Sequence, residues 1–208
     1  MAVEFIKICG ITQVEQALIV SELGATHIGV IFFEKSPRHI DIKRIREIRK
    51  SIQGKTRLVA VTVNPSEKIV EELLKTVDIV QFHGNETVEF LSKFPEDRVI
   101  KAFRIKSEKD INMMFPFFEK NYPVLIDTYK EGEYGGTGKQ IDPDLARKVT
   151  QIYDRIILSG GLSPENLKRL IDHIKPYGVD ASSKLEIKPG IKDLEKVERF
   201  IKIARMES

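Results

Sequence analysis

Short apolar runs alternate with amphipathic segments along the whole chain. The runs are rich in β-branched and aromatic residues, which favour strands, and the segments between them have the apolar spacing of helices. Eight runs are predicted to be strands: residues 4–9, 27–33, 57–63, 79–83, 99–104, 124–128, 156–159 and 178–182. The pattern therefore predicts eight consecutive βα units with no linker between them.

Helix boundary residues mark several of the segments between the runs. Thr12, Asp41 and Ser163 are predicted to cap the starts of helices, and Gly24 and Gly54 lie where helices are expected to end. Eight βα units in about 200 residues is the smallest size of a closed (β/α)8 barrel. The prediction is an α/β fold, a single TIM barrel with short loops that forms one catalytic domain over residues 1–208. An open doubly wound sheet is disfavoured, because such sheets usually have about five or six strands and no GxGxxG follows the first run.

Polar side chains interrupt the apolar pattern of several strands near their carboxyl ends. Successive side chains of a strand point to opposite faces, so residues of one parity face the barrel interior. The polar residues of that parity are Lys7, Cys9, Gln81, His83, Asp127 and Asp180. Because barrel enzymes build their active sites at the carboxyl ends of the strands, these residues predict a site in the barrel mouth.

Composition narrows the classes of function. The chain has 34 Lys and Arg against 31 Asp and Glu, a net charge of +3 that disfavours a nucleic-acid-binding surface. No apolar run approaches the roughly 20 residues of a membrane-spanning helix, and no leader sequence is evident, so we expect a cytoplasmic protein. One cysteine and four scattered histidines suggest neither a disulfide nor a metal site. The 31% of charged residues is typical of thermophilic proteins.

Cys9 and Asp127 are the candidates for proton transfer. Cys9 ends the first strand, and it is either a small buried hydrophobe or a base whose pKa is lowered by positive charge such as that of Lys7. Asp127 ends an apolar strand, where it either caps the next loop or acts as a general acid, since burial favours its protonated form. One base and one acid on opposite sides of a small substrate suit an isomerisation by proton transfer.

Two turns after the seventh and eighth strands are candidates for anion binding. Gly160 and Gly161 precede a capped helix, whose N-terminal N–H groups attract anions. Ser182, Ser183 and Lys184 offer hydroxyls and a cation. Phosphate usually binds at this place in TIM barrels, so the predicted substrate is a phosphorylated small molecule.

Other positions have two interpretations each. Arg38, after the second strand, either binds a substrate carboxylate with its planar guanidinium or is a solvated cation. Gly135, Gly136 and Gly138 follow the sixth strand in a segment without Walker spacing, which is either a lid over the site or an ordinary loop. Lys7 is as well suited to a structural ion pair as to catalysis.

Seven motifs follow one another along the whole chain. They are KICGIT at 7–12, SPR at 36–38, QFHG at 81–84, LID at 125–127, YGGTGK at 134–139, LSGGL at 158–162 and DASS at 180–183. Together they resemble the phosphoribosylanthranilate isomerase family of tryptophan biosynthesis. KICG combined with the aspartate of LID and with GGTGK is specific, whereas SGGL is shared by many phosphate-binding barrels.

The resemblance implies a barrel that converts N-(5-phosphoribosyl)anthranilate to 1-(2-carboxyphenylamino)-1-deoxyribulose 5-phosphate by an Amadori rearrangement, without metal or organic cofactor. It implies that Cys9 is the general base, that Asp127 is the general acid and that Arg38 contacts the anthranilate portion. Further matched positions are Gln81, His83 and Asp180 in the site and Gly160, Gly161, Ser182 and Ser183 in the phosphate-binding turns. Lys184 departs from the family, which usually has glycine there, so an ammonium is expected to help hold the phosphate.

Two other functions stay open at the level of sequence. A Schiff-base aldolase, or another phosphosugar-processing barrel, would use Lys7 or Lys101 as its nucleophile. A non-catalytic phosphosugar-binding barrel would keep the anion-binding turns and would not depend on Cys9 or Asp127. The expected partner is a phosphorylated small molecule, with no nucleic acid and no membrane, and the chain is expected to be a monomer or a homodimer.

Overall fold

A computed structural model describes residues 2–52, 54–128 and 142–207 of the chain. Its eight parallel strands pair in sequential order into a closed barrel, so the predicted (β/α)8 fold is confirmed. The strands are β1 (Phe5–Cys9), β2 (His27–Ile31), β3 (Arg57–Thr62), β4 (Ile79–Phe82), β5 (Val99–Ile105), β6 (Val124–Thr128), β7 (Ile156–Leu158) and β8 (Gly178–Ala181). Each agrees with its predicted bounds to within two residues.

Helices follow the strands and surround the barrel. They are α1 (Val14–Glu22), α2 (Ile42–Ser51), α3 (Glu67–Leu74), α4 (Val88–Leu91), α5 (Phe115–Glu119), α6 (Pro143–Ile152), α7 (Pro164–Ile174) and α8 (Leu194–Arg205). Gly24 and Gly54 lie just beyond α1 and α2 with positive φ angles, as predicted. A small antiparallel hairpin of β9 (Glu186–Lys188) and β10 (Ile191–Lys192), which the sequence pattern does not predict, lies between β8 and α8.

Two apolar clusters hold the fold together. The larger cluster lies between strands and helices, and Ile45 and Ile48 of α2 are fully buried in it. The smaller cluster fills the lower half of the barrel with Phe5, Val59, Ile79, Ile100, Ala102, Leu125 and Ile157. This apolar plug occupies the interior below the polar positions, so the space for a ligand lies at the carboxyl ends of the strands.

The start of α1 differs from the prediction. Gln13, and not Thr12, is the N-cap residue, and it makes no side-chain capping bond. The Thr12 hydroxyl donates to the carbonyl oxygen of Gly190 in the β9–β10 hairpin at 2.7 Å. Asp41 and Ser163 are N-cap residues of α2 and α7 as predicted. The Thr12 hydroxyl, which the sequence assigns to a helix N-cap, therefore makes a tertiary contact instead.

Candidate active site

The polar interior positions meet at the carboxyl end of the barrel, as the parity of the strand residues predicts. A cavity of about 620 Å³, including its open mouth, lies there. Its polar lining consists of Cys9, Ser36, Arg38, Gln81, His83, Arg104, Asp127, Ser159, Asp180 and Ser182. Its apolar lining consists of Ile31, Phe33, Val61 and Val63. The cavity thus combines an apolar wall, suited to an aromatic ring, with groups able to transfer protons.

Two glycines make room around Cys9 at the end of β1. Gly29 of β2 is the register partner of Cys9, and a Cβ atom on Gly29 would lie only 2.7 Å from the Cys9 Sγ. Gly10 has a φ of +79°, and a Cβ atom there would lie 2.7 Å from the Arg38 Cδ and 2.9 Å from the Ser182 Oγ. Glycine at these positions lets the thiol, the arginine and the serine share a small volume.

The electrostatic surroundings of Cys9 differ from the prediction. Burial raises the pKa of the Cys9 thiol and outweighs the positive charges of Lys7 and Lys192, which lower it, while Asp180 raises it further. The predicted lowering of this pKa is therefore wrong for the substrate-free protein, because full burial disfavours the thiolate more than the two cations favour it. The thiol form prevails at neutral pH in the absence of substrate.

Lys7 forms an ion pair beneath the cavity. Its Nζ is fully buried, lies 3.2 Å from the Asp180 Oδ2 and donates to the Gln81 Oε1 at 2.5 Å. Burial alone would lower the pKa of Lys7, but the Asp180 carboxylate and then Cys9 outweigh it and raise the pKa above its ordinary value. Lys7 is therefore a charged amine in a structural ion pair that fixes Gln81 and Asp180, which is one of its two predicted interpretations.

Replacing Lys7 with methionine should strongly destabilise the protein. The change leaves the buried Asp180 carboxylate without its cation, and breaking a buried pair costs about 3–5 kcal/mol. Urea denaturation would measure the free energy of unfolding. Lys168→Met is the matched control, because Lys168 pairs with Asp172 at 3.2 Å on the exposed surface and its loss should cost at most about 1 kcal/mol. Equal losses in the two variants would contradict a structural role for the Lys7 pair.

His83 lies beside Asp127 as a neutral imidazole. The distance from the His83 Nε2 to the Asp127 Oδ2 is 3.9 Å. Burial and then the charge of Arg104 lower the pKa of His83 to about 3. Arg104 of β5 is itself the register partner of Asp127 of β6. Because His83 stays uncharged across the physiological range, it can exchange hydrogen bonds with a bound ligand without adding charge next to Asp127.

Two buried polar atoms lie beside the cavity. Among the described residues, the His83 Nε2 and the Asp180 Oδ1 are buried without a hydrogen-bond partner. Each such atom costs about 1–3 kcal/mol relative to a satisfied one. A hydroxyl or amine group in the cavity would remove this cost.

A second, smaller cavity next to the first has the features of a phosphate cradle. Gly160 and Gly161, at the turn before α7, have φ angles of +91° and +67° that only glycine adopts easily. Ser182, Ser183 and the exposed Lys184 also line this cavity, so the structure brings these five residues together. Asp127, Ser159, Asp180 and Ser182 line both cavities. A phosphate in the cradle would therefore place the rest of its molecule against Asp127.

Arg38 lines the cavity and is bound to a carboxylate of the protein. Its Nε donates to the Glu186 Oε1 at 2.8 Å, and its Nη2 donates to the Glu186 Oε2 at 2.7 Å. The prediction of a solvated loop cation is therefore wrong, because Glu186 fixes the guanidinium. These two bonds leave Nη1 and the second Nη2 hydrogen to donate to a ligand.

Sequence reasoning missed Arg104, which lines the cavity, and the buried pair Glu186 and Lys192 that adjoins it through Arg38. Arg104 has the interior parity of β5, so the alternation that revealed Asp127 could have revealed it. Glu186 and Lys192 lie on the unpredicted hairpin, where the pattern gives no sign of burial. Lys101, a candidate nucleophile, does not line the main cavity; its Nζ pairs with the Glu86 Oε2 at 2.7 Å. The proposed lid residues Gly135, Gly136 and Gly138 lie outside the described residues.

Metal binding and membrane insertion find no support in the described ranges. Within residues 2–52, 54–128 and 142–207, no group of three or more His, Cys, Asp or Glu side chains could hold a metal ion. Across the same part of the chain, no helix is long and apolar enough to cross a membrane.

Known proteins similar to this chain share both its sequence and its fold. The family model for N-(5'-phosphoribosyl)anthranilate isomerase matches residues 6–203. The protein of that name from Sulfurihydrogenibium sp. (strain YO3AOP1) is 53% identical over 200 residues, which cover 96% of this chain and 98% of the relative. The phosphoribosyl anthranilate isomerase structure from Thermotoga maritima superposes with a TM-score of 0.89 at 36% identity, over 97% of this chain and 98% of that one.

A further similar structure carries a ligand. It is a phosphoribosyl anthranilate isomerase in complex with reduced 1-(o-carboxyphenylamino)-1-deoxyribulose 5-phosphate. Its TM-score is 0.85 and its sequence identity 35%, and the match covers 97% of this chain and 98% of that one.

Proposed function

This chain belongs to the N-(5'-phosphoribosyl)anthranilate isomerase family, and we propose that it performs the family's isomerisation with Cys9 as general base and Asp127 as general acid. The protein is an isomerase of tryptophan biosynthesis. The observation that most supports the two roles is that both side chains line one cavity beside the phosphate cradle.

Substrate binding divides between the two cavities. The phosphate group binds at Gly160, Gly161, Ser182 and Ser183, with the Lys184 ammonium as an additional cation. The aromatic ring lies against the apolar wall of the larger cavity, where the free donors of Arg38 meet its carboxylate. The ribose then spans the space between these two anchors, which holds it next to Asp127.

Asp127 acts first, as the acid. It donates a proton to the ribose ring oxygen, the bond from C1 to that oxygen breaks, and the nitrogen lone pair forms an iminium ion with C1. The substrate's own amine therefore acts as the electron sink, which explains how the reaction proceeds without a cofactor. The neutral His83 beside Asp127 orients a sugar hydroxyl.

Cys9 acts second, as the base. The thiol first loses its own proton to water at the open mouth of the cavity. The thiolate then removes the proton from C2, and the C–H electron pair forms the C1–C2 double bond of an enolamine as the iminium is neutralised. The iminium charge, together with Lys7 and Lys192, offsets the burial that raises the pKa of the thiol. The enolamine then gains a proton at C1 from Cys9 and returns the C2 hydroxyl proton to Asp127, which gives the ketone and restores both side chains.

The two alternative functions have less support. A Schiff-base lysine must be an uncharged amine, whereas the pKa of Lys7 is raised by its pair with Asp180. The other candidate, Lys101, is bound to Glu86 and does not line the main cavity. A purely binding role would not need the Cys9 and Asp127 pair.

The direct test is consumption of the substrate. Freshly generated phosphoribosylanthranilate is fluorescent, and we expect the purified protein to remove this fluorescence with saturation kinetics. The Cys9→Ala/Asp127→Asn double variant is the matched control, since its cavity retains the phosphate cradle. Loss of fluorescence at the same rate with wild type, the double variant and buffer would contradict the proposal.

We also propose that the chain works in the cytoplasm as a monomer or homodimer of one-barrel subunits. A phosphorylated substrate is charged and cannot cross a membrane unaided, which supports an intracellular site of action.

A further inference from the structure

The β9–β10 hairpin is fixed to the beginning of α1. The Gln16 side-chain amide pairs with the Lys192 backbone, accepting from its N–H and donating to its carbonyl oxygen, both at 2.9 Å. The Thr12 hydroxyl donates to the Gly190 carbonyl oxygen at 2.7 Å. These three bonds fix the backbone of Lys192 relative to β1 and α1.

The Lys192 side chain links the hairpin to both ends of the ligand site. Its Nζ is fully buried and lies 2.7 Å from the Glu186 Oε1, 3.3 Å from the Ser182 carbonyl oxygen and 3.5 Å from the Ser182 Oγ. The same Glu186 carboxylate binds the Arg38 guanidinium. Lys192, Glu186 and Arg38 therefore form one ionic triad, with the phosphate turn at one end and the arginine of the aromatic subsite at the other.

The triad lies next to the proposed base. With Lys192 protonated, its three members have a net charge of +1. Burial lowers the pKa of Lys192, and the Glu186 carboxylate and then Cys9 oppose this lowering, because a buried lysine is costly unless its charge is paired. The charged or titratable groups that face Cys9 are Lys7 on β1, Asp180 on β8, Lys192 on β10, Arg38 after β2 and, across the cavity, His83, Arg104 and Asp127. Lys7, Arg38 and Lys192 interact electrostatically with Cys9, and of these three Lys192 is hydrogen-bonded to Ser182 of the phosphate turn.

We propose that Lys192 is a positioning residue. It holds the Ser182 turn in place directly and the Arg38 guanidinium through Glu186, and its ammonium stabilises the Cys9 thiolate. The inference rests on the proposed function. A residue outside the eight barrel strands thereby fixes the distance between the two sites that bind the anionic ends of the substrate.

Replacing Lys192 with methionine tests both parts of this role. Loss of the contacts to Ser182 and Glu186 should misplace both anchors and raise KM, with kcat/KM reduced by about 10²-fold. Loss of the cation should move the rise of kcat/KM with pH to higher pH, because thiolate formation at Cys9 is then harder. Lys192→Arg retains the charge, so its kcat/KM should rise at the same pH as that of the wild type.

Lys101→Met is the matched control for simple destabilisation. Lys101 is another buried lysine with a carboxylate partner at 2.7 Å; it does not line the main cavity and is not among the charges that shift the pKa of Cys9. We expect it to lower the free energy of unfolding as Lys192→Met does, while the pH at which kcat/KM rises stays unchanged. Should Lys192→Met fail to fold, Lys192→Gln keeps a donor for Ser182 without the charge, and the upward pH shift is expected there.

An unchanged pH profile and KM in a folded Lys192→Met or Lys192→Gln variant would overturn the inference, as would the same pH shift in Lys192→Arg or Lys101→Met. Failure of the proposed function has a different signature, because the wild-type protein would then not consume phosphoribosylanthranilate at all.

Discussion

Replacing Cys9 with alanine is expected to lower kcat by about 10²–10⁴-fold, the usual contribution of a general base. The side chain is small and buried, so its loss removes the base with little change to the cavity walls. Reduced 1-(o-carboxyphenylamino)-1-deoxyribulose 5-phosphate should still bind, because the phosphate cradle and Arg38 are intact. Steady-state kinetics and calorimetric titration would measure the two quantities.

Cys9→Ser is the matched variant for the base. Serine is similar in size to cysteine and has a hydroxyl in place of the thiol. Because a hydroxyl ionises far less readily than a thiol, kcat should fall nearly as far as in Cys9→Ala. Turnover of Cys9→Ser or Cys9→Ala close to that of the wild type would show that the C2 proton leaves by another route.

Replacing Asp127 with asparagine should lower kcat by a comparable factor of about 10²–10⁴. The amide has the shape of the acid but cannot supply the proton that opens the ribose ring. The two variants should therefore stop at different steps, Asp127→Asn before ring opening and Cys9→Ala after it.

Borohydride distinguishes these two steps. Hydride addition to C1 of the iminium ion gives a stable secondary amine, so Cys9→Ala with substrate should accumulate the reduced anthranilate–ribitol phosphate. Asp127→Asn should form it no faster than substrate in buffer. Equal trapping in the two variants would contradict the assignment of acid and base to separate steps.

The fold was predictable because the repeating pattern has one compact solution. Eight β-branched runs in about 200 residues match a closed parallel barrel, whereas an open doubly wound sheet of this length usually has about five or six strands. The alternation within strands placed Cys9, Gln81 and Asp127 in the interior, since a strand that is buried on both faces has few other reasons for polar residues.

The docking of the β9–β10 hairpin and the raised pKa of Cys9 depend on contacts between distant parts of the chain. Lys192 and Glu186 lie in a charged stretch that is typical of a solvated surface, and Lys192 is buried in a hairpin that is bonded to Thr12 and Gln16, far away in the sequence. The raised pKa of Cys9 likewise depends on how completely the folded chain excludes water from the thiol. The docking of the hairpin has no local sequence signal, and the alternation that places Cys9 in the interior does not say how completely water is excluded from its thiol.

The ionisation of Cys9 offers the most direct test of its role as base. Cys9 is the only cysteine of the chain, so the ultraviolet absorbance of the thiolate, after subtraction of the Cys9→Ala spectrum, reports this side chain alone. Titrating this absorbance in the buffers used for kinetics should give a curve that coincides with the rise of kcat/KM, and both should move to higher pH in Lys192→Met. A rise of kcat/KM completed at a pH where the thiol is still fully protonated would contradict the role of Cys9 as the base.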